Sequence, residues 1–148
     1  MIDFEIPESI QQQVQGLTMV AQRMMRPVAR YYDEHEHEKP WDYINATWQF
    51  TKGQAAASLA RAERRAQEGG EKKKPSGPAM GNVQQIFVVE VLSWGDAGLY
   101  LCTPTTGLGG AAVEAVGTLE QKRRLLKRFG EGDPKWAAMA ITEPGAGS

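Results

Sequence analysis

A chain of 148 residues with 41% hydrophobic and 24% charged side chains carries enough apolar material for one packed domain. Seventeen basic against eighteen acidic residues leave a net charge of −1, so no overall positive field is available to hold a nucleic-acid backbone. The longest uninterrupted aliphatic and aromatic run, Ile86 to Val89, falls far short of the ~20 residues that span a bilayer.

The first residues, MIDFEIPES, are acidic and lack the basic n-region of a secretory signal. The one cysteine, Cys102, has no partner for an internal disulfide and suits a reducing compartment. Together these features predict a cytoplasmic protein with no membrane span.

In chain order, Ser9 is a candidate cap for a helix that follows Pro7. Ile10, Val14, Leu17, Ala21, Met24, Val28 and Tyr31 then recur at spacings of four and three, which predicts one core-facing helical stripe. Pro27 lies inside that pattern and removes a backbone donor, so a kink or break is expected there. The following YYDEHEHE is acidic, with His35 and His37 two residues apart. On a helix that spacing points two rings well apart, so a solvated helix end fits better than a metal site.

After Lys39-Pro40 a second helix is expected from Trp41-Asp42 through Trp48, Ala55, Leu59 and Ala62 to about Gln67. It gives way to EGGEKKKPSGPAMG, where glycine, proline and lysine predict a mobile, solvated loop over 68–81. From Arg61 to Lys74 there are six basic and three acidic residues, with no interleaved aromatics to stack bases. From Asn82 a long apolar segment reads as a buried helix, with Gly95 and Gly98 allowing close packing. A short helix should follow Pro104 and end at Gly117.

Thr118 and Gln121 form a capping box. The helix it opens carries Leu119, Leu125, Leu126 and Phe129 inward and Lys122, Arg123, Arg124, Lys127 and Arg128 outward, with Gly130 as a left-handed stop. After a turn at Gly132-Asp133-Pro134, alternation over Trp136 to Thr142 predicts one strand.

Gly107-Leu-Gly109-Gly-Ala-Ala112 fits the loose dinucleotide pattern but lacks the strand before it and the long crossover helix after it. Its glycines are expected to relieve crowding where helices meet. The final stretch MAITEPGAGS is more informative. Thr142 offers a hydroxyl that donates and accepts, and the small run Gly145 to Ser148 lets backbone amides approach a flat ring or a phosphate.

AITEPGAGS resembles the flavin-contacting signature of the acyl-CoA dehydrogenase family. VVEVLSWGDAG is similar to that family's acidic helix and glycine-aspartate turn, and GTLEQKRRLLKRFGEGDPKWAAMAITEP to its G-T-x-E-Q-K helix leading into the first strand of the middle domain. The placement of Pro27, Asp33 and Pro40 is also similar. One stretch departs from the pattern: Glu71 to Pro78 stands where the family has a compact loop with paired glycines.

The resemblance implies a mainly α fold, an N-terminal helical bundle over 1–132, followed at 133–148 by the start of a β domain. It implies an FAD enzyme that oxidises an acyl-CoA to the 2,3-enoyl-CoA and passes electrons to an acceptor such as an electron-transfer flavoprotein, as a homo-oligomer. Met139, Ala140, Ile141, Thr142, Gly147 and Ser148 would contact the flavin, with Ser148 also reaching the acyl-CoA. No catalytic residue is expected among these 148, since the family's glutamate lies in a later helical domain and Glu143 is not used. The chain by itself is expected to be inactive. Two other readings share these features: a non-catalytic helical interaction module, which a visible flavin spectrum separates, and an acyl-CoA oxidase, which oxygen consumption separates.

Overall fold

The structure, a computed structural model, describes residues 6–68, 81–140 and 144–145. The described residues are mainly helical. In order they form α1 (Glu8–Val20), a π-helical turn (Ala21–Met25), α2 (Arg26–Glu34), α3 (Trp41–Gln67), α4 (Gly81–Leu101), α5 (Gly107–Val116) and α6 (Leu119–Gly130). They fall into two compact units, one of Met1–Tyr43 with Lys74–Thr103, the other of Ile44–Lys73 with Pro104–Ser148.

In the first unit α1, the π-helical turn and α2 pack on α4. Pro7, not Ser9, occupies the cap position of α1, and its carbonyl accepts from the amides of Ile10 and Gln11. Ser9 lies one residue inside the helix. The break expected at Pro27 takes the form of the π-helical turn just before it, with Pro27 in the first turn of α2. Proline has no N–H to offer and its ring collides with the carbonyl four residues back, so the widened turn accommodates both.

That turn also shifts the apolar stripe. Ile10 and Ala21 are buried as the spacing predicts, but Met25 rather than Met24 is fully enclosed, and Tyr31 is 46% exposed. A 3.6-residue period fails across a turn that holds an extra residue. Tyr31 instead stacks on His35, with ring centroids 4.3 Å apart, at the exposed end of α2.

The core of this unit is Ala21, Met25, Tyr43, Leu92 and Leu99. Gly95 lies against it. A Cβ added there would stand 2.9 Å from both Ala21 Cβ and Met25 Sδ, so glycine is required for the approach of α4. The next residue, Asp96, is extended, and its carboxylate accepts from the Leu99 amide at 2.7 Å. The chain therefore ends one helical run and caps another within α4.

In the second unit, the rest of α3 and α6 enclose Trp48, Ala55, Leu126 and Phe129. The Trp48 and Phe129 rings meet edge-on at 6.1 Å, and Trp48 Nε1 donates to the Gly132 carbonyl at 2.7 Å. Buried Thr51 donates to the Pro104 carbonyl at 2.7 Å. Thr118 and Gln121 make both halves of the capping box, and Gly117 ends α5.

Two expectations need correction here. Gly130 is the last helical residue, and the left-handed conformation falls on Gly132 (φ 69°). The strand expected over 136–142 is absent among the described residues, where 134–140 is irregular chain. A strand needs a neighbour to pair with; here the Ala137 amide donates to the Thr105 carbonyl instead. The loop expected over 68–81 lies, from 69 to 80, outside the described residues.

Candidate functional site

The residues just before the terminal motif, Ala137 and Ala138, are held by the turn that precedes α5 and by its first residues. Thr51 secures that turn through Pro104, which is itself buried. The Thr105 carbonyl then takes the Ala137 amide at 3.1 Å, and Ala137 packs on the core of the second unit. Gly107 and Gly109 make the approach possible. A Cβ on Gly107 would lie 2.9 Å from the Ala137 carbonyl oxygen, and one on Gly109 would lie 2.7 Å from that of Ala138. Gly107 also sits at φ 50°, where a side chain is strained.

The glycines of the false dinucleotide pattern therefore do relieve crowding, but against residues 137–138 rather than against a second helix. Sequence reading missed that role. Its signal was the G-L-G-G cluster at the start of a helix too short for a crossover.

From Ala138 onward the described residues of the segment are exposed. Met139 is 43% exposed, Ala140 is exposed, and Pro144–Gly145 is an exposed turn. Ile141, Thr142, Glu143, Gly147 and Ser148 lie outside the described residues. In the described part of the motif, an anchored backbone at Ala137 leads to an exposed apolar side chain, Met139.

Burial, with a smaller contribution from Asp96, raises the Cys102 thiol above its usual range, so it stays protonated at neutral pH. Burial also raises the Tyr43 hydroxyl, partly offset by its hydrogen bond with Thr103 Oγ1 at 2.8 Å. His35 places Nδ1 2.8 Å from the Tyr31 carbonyl. Among the described residues, no three His, Cys, Asp or Glu side chains are grouped to hold a metal. No described helix is long and apolar enough to cross a membrane.

A sequence model of the acyl-CoA dehydrogenase N-terminal domain matches residues 7–133. The chain belongs to the acyl-CoA dehydrogenase family. A protein named probable medium-chain specific acyl-CoA dehydrogenase 2, mitochondrial, from Caenorhabditis briggsae is 30% identical over 148 residues, covering 99% of this chain and 32% of that protein. A 3-(aryl)acrylate reductase from Clostridium sporogenes is 36% identical over 131 residues, covering 84% of this chain and 32% of that protein. The acyl-CoA dehydrogenase-type chain thus spans about a third of the length of these relatives. No solved structure matches it.

Proposed function

We propose that residues 1–132 are the N-terminal helical domain, and 133–148 the opening of the middle β domain, of an FAD-dependent enzyme that oxidises an acyl-CoA to its 2,3-enoyl-CoA. The observation that carries this reading is the cradling of Ala137 and Ala138 by Gly107 and Gly109, immediately before the MAITEPGAGS stretch. Bound FAD would supply the two-electron chemistry, accepting hydride from the carbon β to the thioester carbonyl as a carboxylate removes the α proton.

This chain's part is positioning. Met139, Ala140, Ile141 and Thr142 would hold the flavin ring, the Thr142 hydroxyl as its hydrogen-bond partner. Gly147 and Ser148 would meet the cofactor further along, and Ser148 would also reach the acyl-CoA. The base lies outside these residues, in the remaining two-thirds that the relatives possess, so the 148 residues alone are inactive. The electron acceptor is of the electron-transfer flavoprotein kind and the intact enzyme is a homo-oligomer. Its cytoplasmic placement rests on the single cysteine.

The clostridial relative's name favours a second reading, in which the same site runs in the reducing direction on a 2,3-enoyl substrate. Purification of the intact protein tests both. It should carry a visible flavin spectrum, and Thr142→Val should shift that spectrum or weaken FAD retention. An intact protein that is colourless and takes up no FAD would overturn the proposal. Turnover with acyl-CoA against enoyl-CoA then separates the two directions.

A further inference from the structure

Apart from the terminal motif, the second unit has a groove of about 500 Å³ formed by the C-terminal half of α3, the end of α5 and the start of α6. That volume lies within the roughly 300–1,000 Å³ range of small-ligand sites. Arg61, Arg65 and Lys122 line it, with Ser58 beside them and Glu114 as the carboxylate among the lining residues. Its apolar wall is Leu119, Leu126 and small alanines, Ala62 and Ala66 among them.

Local stability accounts for only part of the charge arrangement: Arg65 lies in the last turn of α3, where the helix dipole favours a cation. Arg61 and Arg65, four residues apart, share one helix face, where like charges repel. Lys122 sits in the first turn of α6, beside the positive end of the helix dipole. The ion pairs among the described residues are Arg30–Glu34 and Glu63–Arg123, and none of the three groove cations belongs to either. Arg61 is held by a bond to Ser58 Oγ at 2.9 Å, which orients rather than neutralises it. Cations converge in a concavity with a surplus of two over its one carboxylate. An Arg pair with an ammonium opposite is suited to phosphate oxygens, and the leucine and alanine wall to a flat or aliphatic appendage.

We propose that this groove binds a nucleoside diphosphate, the phosphates on Arg61, Arg65 and Lys122 and the base against Leu119 and the alanines. Isothermal titration of the full chain with ADP, inorganic pyrophosphate and adenosine tests it. ADP should bind saturably and weaken as salt rises, pyrophosphate should bind less tightly, and adenosine should not bind. Arg65→Gln and Lys122→Gln should each weaken ADP about tenfold, the loss expected for one charge-assisted contact. Arg128→Gln, on α6 but outside the groove lining, should change it less than twofold, with far-ultraviolet circular dichroism confirming that all variants fold.

In the intact protein, flavin content read by visible absorbance should be unaffected by Arg65→Gln, which separates this groove from the proposed flavin site. No saturable ADP binding, equal affinity for pyrophosphate, or equal weakening by Arg128→Gln would each overturn the assignment.

Discussion

The two units build their interiors by opposite means. In the first, small residues let helices touch: Gly95 against Ala21, with Met25 filling the remaining gap. In the second, two large rings, Trp48 and Phe129, occupy the space, and hydrogen bonds to the Gly132 and Pro104 carbonyls fix the surrounding chain. The first arrangement fails when volume is added, the second when volume is removed. Side chains of the same chain are therefore held to opposite constraints, and substitutions should separate them.

The largest effect should come from emptying the second core. Trp48 is 2% exposed, and Trp48→Ala removes both the ring contact with Phe129 and the donor to Gly132. Burial loss plus the residual cavity should cost about 3–5 kcal/mol in urea unfolding. A loss below ~1 kcal/mol would show that Trp48 does not organise this unit. Next comes overfilling of the first core. Gly95→Val should cost about 1–3 kcal/mol, because Ala21 and Met25 must move from contacts that a bare Cβ already makes too short. Unchanged stability would mean that α4 can slide away without penalty.

A smaller, pH-dependent difference belongs to the first unit. The Tyr43 hydroxyl is raised above its ordinary 10.0 mainly by burial. Its neutral form is favoured in the fold, so its contribution is fully present below about pH 10 and is lost as pH rises through the folded value. Above that pH, the wild type should lose up to about 1.4 kcal/mol per pH unit more than Tyr43→Phe, which has no proton to release. Parallel pH profiles for the two proteins would contradict the burial of this hydroxyl.

How much of this was legible in the sequence differs between the units for a physical reason. Local signals were readable: the capping box at Thr118 and Gln121, the end of α5 at Gly117, the extent of α3, and close packing at Gly95, though not at Gly98, where a Cβ would meet only the Asp96 carboxylate. Met25 was missed because a π-helical turn adds a residue that a fixed period cannot register. The left-handed residue was misplaced by two because Gly130 and Gly132 are equally permissive and only the packing around Trp48 selects between them. The pinning of Ala137 by Thr105 joins residues 32 apart, and the cations of α3 and α6 converge only once those helices are packed. Of the residues proposed to meet the flavin, Met139 and Ala140 are among the described ones, and their exposure was not readable from alternation.

The finest test sets one glycine against another. Gly53 lies in the middle of α3, is exposed, and has nothing within 4 Å of where a Cβ would stand. It therefore carries the entropic penalty of glycine in a helix without the packing that makes Gly95 necessary. Replacing it lowers the freedom of the unfolded chain and leaves the folded contacts as they are. Gly53→Ala should stabilise the protein by about 0.5–1 kcal/mol, read as a higher urea midpoint with an unchanged slope. Combined with Gly95→Val, the two changes should add, since they touch no shared neighbour. A destabilised Gly53→Ala would mean that the face of α3 at residue 53 is covered, and the contrast between a glycine kept for contact and one free to change would be lost.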